Sequence, residues 1–248
     1  MLKGFWKLTW IEAKVFVREP MGLFGTLLVP VILFVVLGRS FGLNRVATAA
    51  APKLPPFNVA ILTALFLAIS AVLSLTAIIS IYREGGILKR LRATPLSPIT
   101  ILGSQVVLKL FLTAIGLGLL LLAGRRMFPG VMQVNVLSFS AAVLLSTASI
   151  LSLGFVIASI VPTARFAQPI GGAILYPMLT FSGLFFPLAN LPPALRFVAS
   201  LLPTTHAVSL LKGIWEGTPW SAHLGDIAAL LVSAVVCVAV SVRVFRWE

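Results

Sequence analysis

Six apolar stretches, each close to the length of a bilayer crossing, dominate this chain: residues 21–38, 57–82, 101–123, 136–161, 167–187 and 226–244. A membrane-spanning helix needs about 20 predominantly apolar residues. Six such stretches in 248 residues leave room for short connections and little else. Composition agrees: 59% of residues are hydrophobic and 10% charged, against about 25% charged in soluble domains. A soluble enzyme and a disordered chain are both excluded. The expectation is an all-α integral membrane bundle of six transmembrane helices, read as a single transmembrane domain over 1–248.

The net charge is +13, and the basic residues gather in the connections between apolar runs. That pattern marks membrane topology rather than a nucleic-acid partner. With six spans both termini share a side. That side carries the N-terminus, the connections holding Arg83, Lys89, Arg90, Arg92 and Arg165, and the C-terminal Arg243 and Arg246. It collects eleven of the 19 Lys and Arg, against seven opposite, with Lys109 apart. The excess predicts a multi-pass protein of the inner (cytoplasmic) membrane with both termini cytoplasmic. The lone cysteine, Cys237, permits no disulfide within the chain.

Residues 1–19 are not a span. On a helical wheel Lys3, Lys7, Lys14 and Arg18 fall within about 60° of one another. Phe5, Trp6, Trp10, Phe16 and Val17 make a broad apolar face, and Glu12 and Glu19 stand roughly opposite the basic stripe. This predicts an interfacial amphipathic helix on an anionic leaflet. Arg18-Glu19-Pro20 is its corner into the first span, because the residue before a proline avoids the α region.

The absences are as informative. There is no phosphate-cradling G-x-x-x-x-G-K-[ST] loop and no H-E-x-x-H or C-x-x-C spacing. The sequence therefore offers no catalytic, cofactor or metal site. No apolar run carries an Asp or Glu in its interior, whereas ion-coupled carriers keep such acids as relays. His206 and His223, 17 apart, are read as having no acidic partner nearby. If the chain moves cargo uphill, the energy comes from another chain.

Three segments carry the remaining information. Residues 83–100, REGGILKRLRATPLSPIT, place Gly85 and Gly86 at a change of direction. Ile87, Leu88 and Leu91 then share a helical turn ringed by Lys89, Arg90 and Arg92, and Pro95 and Pro98 end the element. It reads as a protruding lever for a motor or as an ordinary positive-inside loop. Residues 188–225 are apolar but broken by prolines. They read as a hairpin that dips into or lies on the outer leaflet, or as a surface loop packed on the bundle. In the fifth run Ala167, Gly171 and Gly172 suit a dimer contact, a pathway or plain packing. Lys109 is read as snorkelling from a shallow position.

Taken in order, these marks resemble the ABC-2 type permeases, the membrane subunits of ATP-binding-cassette exporters. They are Arg18-Glu19-Pro20, then Arg83-Glu84-Gly85-Gly86 through Leu88 and Leu91 to Thr94-Pro95. Ser182-Gly183 with Phe186-Pro187 and Pro203-Thr204-Thr205-His206 complete them. Lys212 stands where the family more often has arginine.

The resemblance implies that Arg83, Glu84, Gly85, Gly86, Leu88, Lys89, Leu91, Arg92, Thr94 and Pro95 belong to a coupling segment seated on a separate ABC ATP-binding subunit. It implies a connecting helix with Glu12, Arg18, Glu19 and Pro20. Ser182, Gly183, Phe186, Pro187 and His206 would line a pathway or outer gate. Two permeases would pair as a homodimer with two ATPases, ATP-Mg being held by the partner and no cofactor by this chain. The implied activity is efflux of a hydrophobic or amphipathic drug, lipid or glycolipid. The other reading is a stand-alone channel or membrane-protein assembly factor without an ATPase.

Overall fold

A computed structural model describes residues 2–40, 59–86, 98–127, 135–161, 163–185 and 187–244. Among them all regular structure is helical. The helices are α1 (Leu2–Arg18), α2 (Pro20–Leu23), α3 (Val29–Ser40), α4 (Val59–Glu84), α5 (Pro98–Met127), α6 (Val136–Ile160), α7 (Ala164–Thr180), α8 (Pro193–Leu201), α9 (Pro203–Trp215) and α10 (Leu224–Val244). A π-helical turn, Phe24–Leu28, joins α2 to α3, and 3-10 turns cover Leu188–Asn190 and Trp220–His223.

The fold class is as expected. Among the described residues four stretches are long and apolar enough to cross a bilayer, Ala64–Glu84, Gly103–Met127, Val136–Ile160 and Trp220–Val244, or five if α8 and α9 count as one broken crossing. The first apolar run becomes the shorter helix Phe24–Arg39. The fifth, expected over 167–187, is the 17-residue α7, which begins earlier and stops at Thr180. Its end is set by a turn: Phe181 leaves the α region and Gly183 takes φ +87°. A Cβ at Gly183 would also press on Leu188.

Helix α4 is the hub. Ile61, Leu65, Ile69, Val72, Leu75 and Ile79 recur every three or four residues along it and are all buried, the periodicity of a helix face. They meet Leu120 of α5, Phe139, Ile150 and Leu151 of α6, and Leu210 of α9 in one apolar core. Two glycines set the approach distances. A Cβ at Gly154 would touch Val72, and one at Gly171 would run into Leu73 of α4. Close approach at small residues is how helices gain contact in lipid, so Gly171 serves packing within the chain. Helix α10 lies along α6, joined by Ser149 Oγ to Leu230 O (2.8 Å) and Ser233 Oγ (2.8 Å). Its other face is exposed at Val232, Val235 and Val242.

The segment 188–225 folds as a bent pair of helices. Helices α8 and α9 are bent 81° from one another. Helix α8 is exposed at Phe197, Val198 and Leu201, whereas α9 is driven into the bundle with Ala207, Leu210, Leu211 and Ile214 buried. Proline starts both helices, where its missing N–H is no loss.

Candidate functional site

Glu12, Arg83, Glu84, Gly85 and Gly86, singled out by sequence, meet at one end of the bundle, where α4 stops. Its last three residues each bond a different element. The Tyr82 hydroxyl lies 2.7 Å from both carboxylate oxygens of Glu12 on α1. Arg83 donates through Nη1 to Val161 O and Nη2 to Ala158 O, both at 2.8 Å. Glu84 Oε1 accepts from the Ala164 backbone N–H at 3.0 Å.

Helix ends explain the last two bonds. The final carbonyls of a helix lack intrahelical partners and form its negative pole; the first N–H groups form the positive pole of the next. Arg83 covers the C-terminus of α6. Glu84 covers the N-terminus of α7, whose N-cap Thr163 supplies no side-chain bond of its own. One cation and one anion, adjacent in sequence, thus close the tight connection between α6 and α7 from the end of α4.

The chain then turns. Gly85 N–H bonds Ile81 O, Gly86 N–H bonds Arg83 O, and Gly86 adopts φ +65°, the left-handed conformation that ends helices and favours glycine. Leu88, Lys89, Leu91, Arg92, Thr94 and Pro95 lie outside the described residues, as does Phe186.

Helix α1 packs on α5 and turns its exposed apolar residues, Trp6, Trp10, Ile11 and Val17, outward. Phe16 is buried beside Leu108 and Leu112, and a Cβ at Gly103 of α5 would touch Phe5. Glu12 is 7% exposed. The sequence placed it opposite the basic stripe; the structure turns that side toward Tyr82. Arg18, Glu19 and Pro20 form the exposed corner.

Lys109 departs from its sequence reading. It is 0% exposed, donates to Ser74 Oγ at 2.7 Å and lies 5.0 Å from the centroid of the Phe16 ring. It does not reach solvent; α1 and α4 cover it.

At the other end the histidines require a second correction. Both have the same acidic partner. Asp226 Oδ1 is 2.9 Å from His206 Nδ1, and Oδ2 is 3.1 Å from His223 Nδ1 and accepts from Ser209 Oγ at 2.7 Å. His206 Nε2 also lies 2.9 Å from Ser200 O, tying α8 to α9 and α10. His223 sits so close over Gly213 that a Cβ there would collide with its ring. The spacing His223-x-x-Asp226, one helical turn, was the available signal. Ser182 is buried against Leu179 O, and Pro187 is exposed at the start of a 3-10 turn. Among the described residues no cluster of His, Cys, Asp and Glu has the arrangement to hold a metal.

The profile of the family described as ABC-2 type transporter matches residues 3–214. The chain belongs to that family. The ABC-2 profile covers both the α1–α4 junction and the bent pair α8–α9, the two regions where polar contacts concentrate. Among characterised proteins, the chain is similar to Nodulation protein J of Rhizobium leguminosarum bv. viciae, 30% identical over 95 residues, which is 38% of this chain and 37% of that protein. Nodulation protein J of Rhizobium meliloti (strain 1021) is 31% identical over 96 residues, 38% of this chain and 36% of that protein. The homologue of Bradyrhizobium diazoefficiens is 33% identical over 98 residues, 38% of this chain and 36% of that protein. The matched stretch thus spans well under half the length of each relative.

Proposed function

We propose that this chain is the permease subunit of an ATP-driven exporter, working as a homodimer in the cytoplasmic membrane with both termini in the cytoplasm. A separate ABC ATP-binding subunit supplies the energy and is the only component that binds ATP-Mg. The cargo is hydrophobic or amphipathic, a drug, lipid or glycolipid. One observation carries the reading: residues 82–84, immediately before the basic segment 87–97, hold α1, the end of α6 and the start of α7 at once. A push on that segment is delivered from α4 to three further elements of the bundle through bonds of 2.7–3.0 Å. Such bonds are directional and short, each with an acidic or basic side chain as donor or acceptor, which suits them to transmit displacement.

Family membership supports the ATPase partner, and the lack of acidic residues inside the apolar runs supports an external source of energy. The test is co-expression with a candidate ABC ATP-binding subunit. A complex is expected whose ATP hydrolysis depends on the permease and whose vesicles accumulate lipid or drug cargo. Replacement of 85–97 by a Gly/Ser linker abolishes that dependence. Unchanged binding and hydrolysis after the replacement overturn the reading.

A further inference from the structure

A cleft of about 270 Å³ opens between the π-helical turn, α4 and α7. Apolar Phe66, Ile69 and Leu73 form part of its wall; Thr26, Ser70, Ser74, Gln168 and Tyr176 bring polar groups to it. Polar groups are costly inside a bilayer unless something satisfies them. The Thr26 side chain, on a residue 9% exposed, has no hydrogen bond to another described residue, and neither do the side chains of Ser70 and Gln168. The chain alone does not complete this wall.

Behind the wall stands Lys109. By the 1.5 Å rise per residue it lies about 9 Å along the axis from Gly103, well inside the crossing that begins there. Its ammonium occupies an acceptor position of Ser74 Oγ. A serine hydroxyl has one proton to give, and this one is left for an acceptor in the cleft. Glu12 and Glu19 face the lysine from the α1 side. The two Glu12 oxygens share the one Tyr82 hydroxyl proton, and among the described residues no carboxylate forms a salt bridge with Lys109. The positive charge is therefore delivered to the cleft through one hydroxyl, beside three donors with no partner.

We propose that this cleft binds the anionic oxygen group, phosphate or carboxylate, of an amphipathic molecule. Ser74 is the central donor, backed by Lys109, with Thr26, Ser70 and Gln168 flanking. Phe66, Ile69, Leu73 and the Tyr176 ring take the first methylenes. The volume suits a headgroup and the start of a chain, since whole small-molecule sites run from about 300 Å³ upward. The proposal rests on the transport reading and names its substrate class, but its test needs no ATPase.

The full-length permease, purified without a partner, is titrated with a tail-labelled dodecyl phosphate. Unlabelled dodecyl phosphate, dodecylphosphocholine and inorganic phosphate then compete. Saturable binding is expected, displaced at least about tenfold better by dodecyl phosphate than by dodecylphosphocholine; a tenfold ratio is 1.4 kcal/mol. Displacement by inorganic phosphate alone at millimolar concentration assigns the site to a free anion and overturns the amphiphile. Ser74→Ala and Lys109→Met each weaken binding at least about tenfold. Ser70→Ala, which removes no contact within the chain, weakens it about threefold and guards against misfolding of the first two. Equal affinity in Ser70→Ala and Ser74→Ala, or equal competition by the zwitterion, overturns the proposal. So does efficient cross-linking of Gln168→Cys to a second copy with no amphiphile bound. If dodecyl phosphate binds but no ATPase responds, the transport reading fails and the site stands; the reverse outcome removes the site alone.

Discussion

The two ends of the bundle are both held by polar side chains, but they are wired differently. At the α4 end, three consecutive residues reach three elements that are distant in sequence: Glu12 is 70 residues from Tyr82, Ala158 is 75 from Arg83 and Ala164 is 80 from Glu84. At the hairpin end, one carboxylate collects His206, Ser209 and His223, all within 20 residues of it. The first arrangement disperses a displacement through the bundle. The second confines one, making α9 and the start of α10 a single rigid unit. A transporter needs both: a place where motion enters, and a part that keeps its shape while the rest moves.

The largest expected effect tests the rigid end. Asp226→Ala leaves two imidazoles and a hydroxyl without their acceptor and should lower stability by about 3 kcal/mol, read as the thermal unfolding midpoint in detergent. The stimulation of ATP hydrolysis per folded complex should stay near wild type; a complete loss of coupling in a folded variant would erase the contrast drawn here. Gly213→Ala probes the same unit sterically. The added methyl collides with His223, an overpacking cost of about 2 kcal/mol in the same thermal measurement.

Arg83→Met should do the opposite. Loss of two bonds to helix-terminal carbonyls costs about 1–2 kcal/mol of stability, but permease-dependent ATP hydrolysis should fall about tenfold or more, since the α6 contact is lost. Tyr82→Phe tests the α1 branch alone, with a smaller loss of coupling and a Glu12 that remains buried. The smallest effect is Glu84→Gln, which keeps an acceptor for Ala164 N–H and loses only the charge at the positive pole of α7, about 0.5 kcal/mol. A hydrolysis assay that ranks Glu84→Gln above Arg83→Met would reverse the order of the branches.

Much of this was legible in the residues. Length and hydropathy give the helices, Pro20 and Gly85-Gly86 give the corners, and Pro193 gives the start and Pro203 the stop of the first hairpin helix, because each acts through its own backbone; that Pro203 also opens the next helix is seen only in the structure. The bonds that matter were not legible, because each pairs residues that only the packing brings together. Nothing local to Glu12 says whether it faces water or Tyr82. Lys109 read as a snorkelling side chain because the position of α1 over it is a tertiary fact. The histidine node was half visible: His223 and Asp226 are one turn apart, but His206 joins them only because α9 folds back against α10. The fifth run read as longer than α7 because hydropathy continues past Thr180, while the backbone turn at Gly183 does not depend on hydropathy.

The π-helical turn at Phe24–Leu28 has a consequence for every residue after it. Such a turn carries one residue more than an α turn, so it offsets the helical phase of Val29–Ser40 by about 100° relative to Pro20–Leu23. Pro30 and Phe34 are buried in the helix that follows the turn, and Gly22, Gly25 and Thr26 open onto the cleft beside it. Deleting a single residue there would rotate everything beyond it in this helix by about 100°, a frameshift in space with none in the gene.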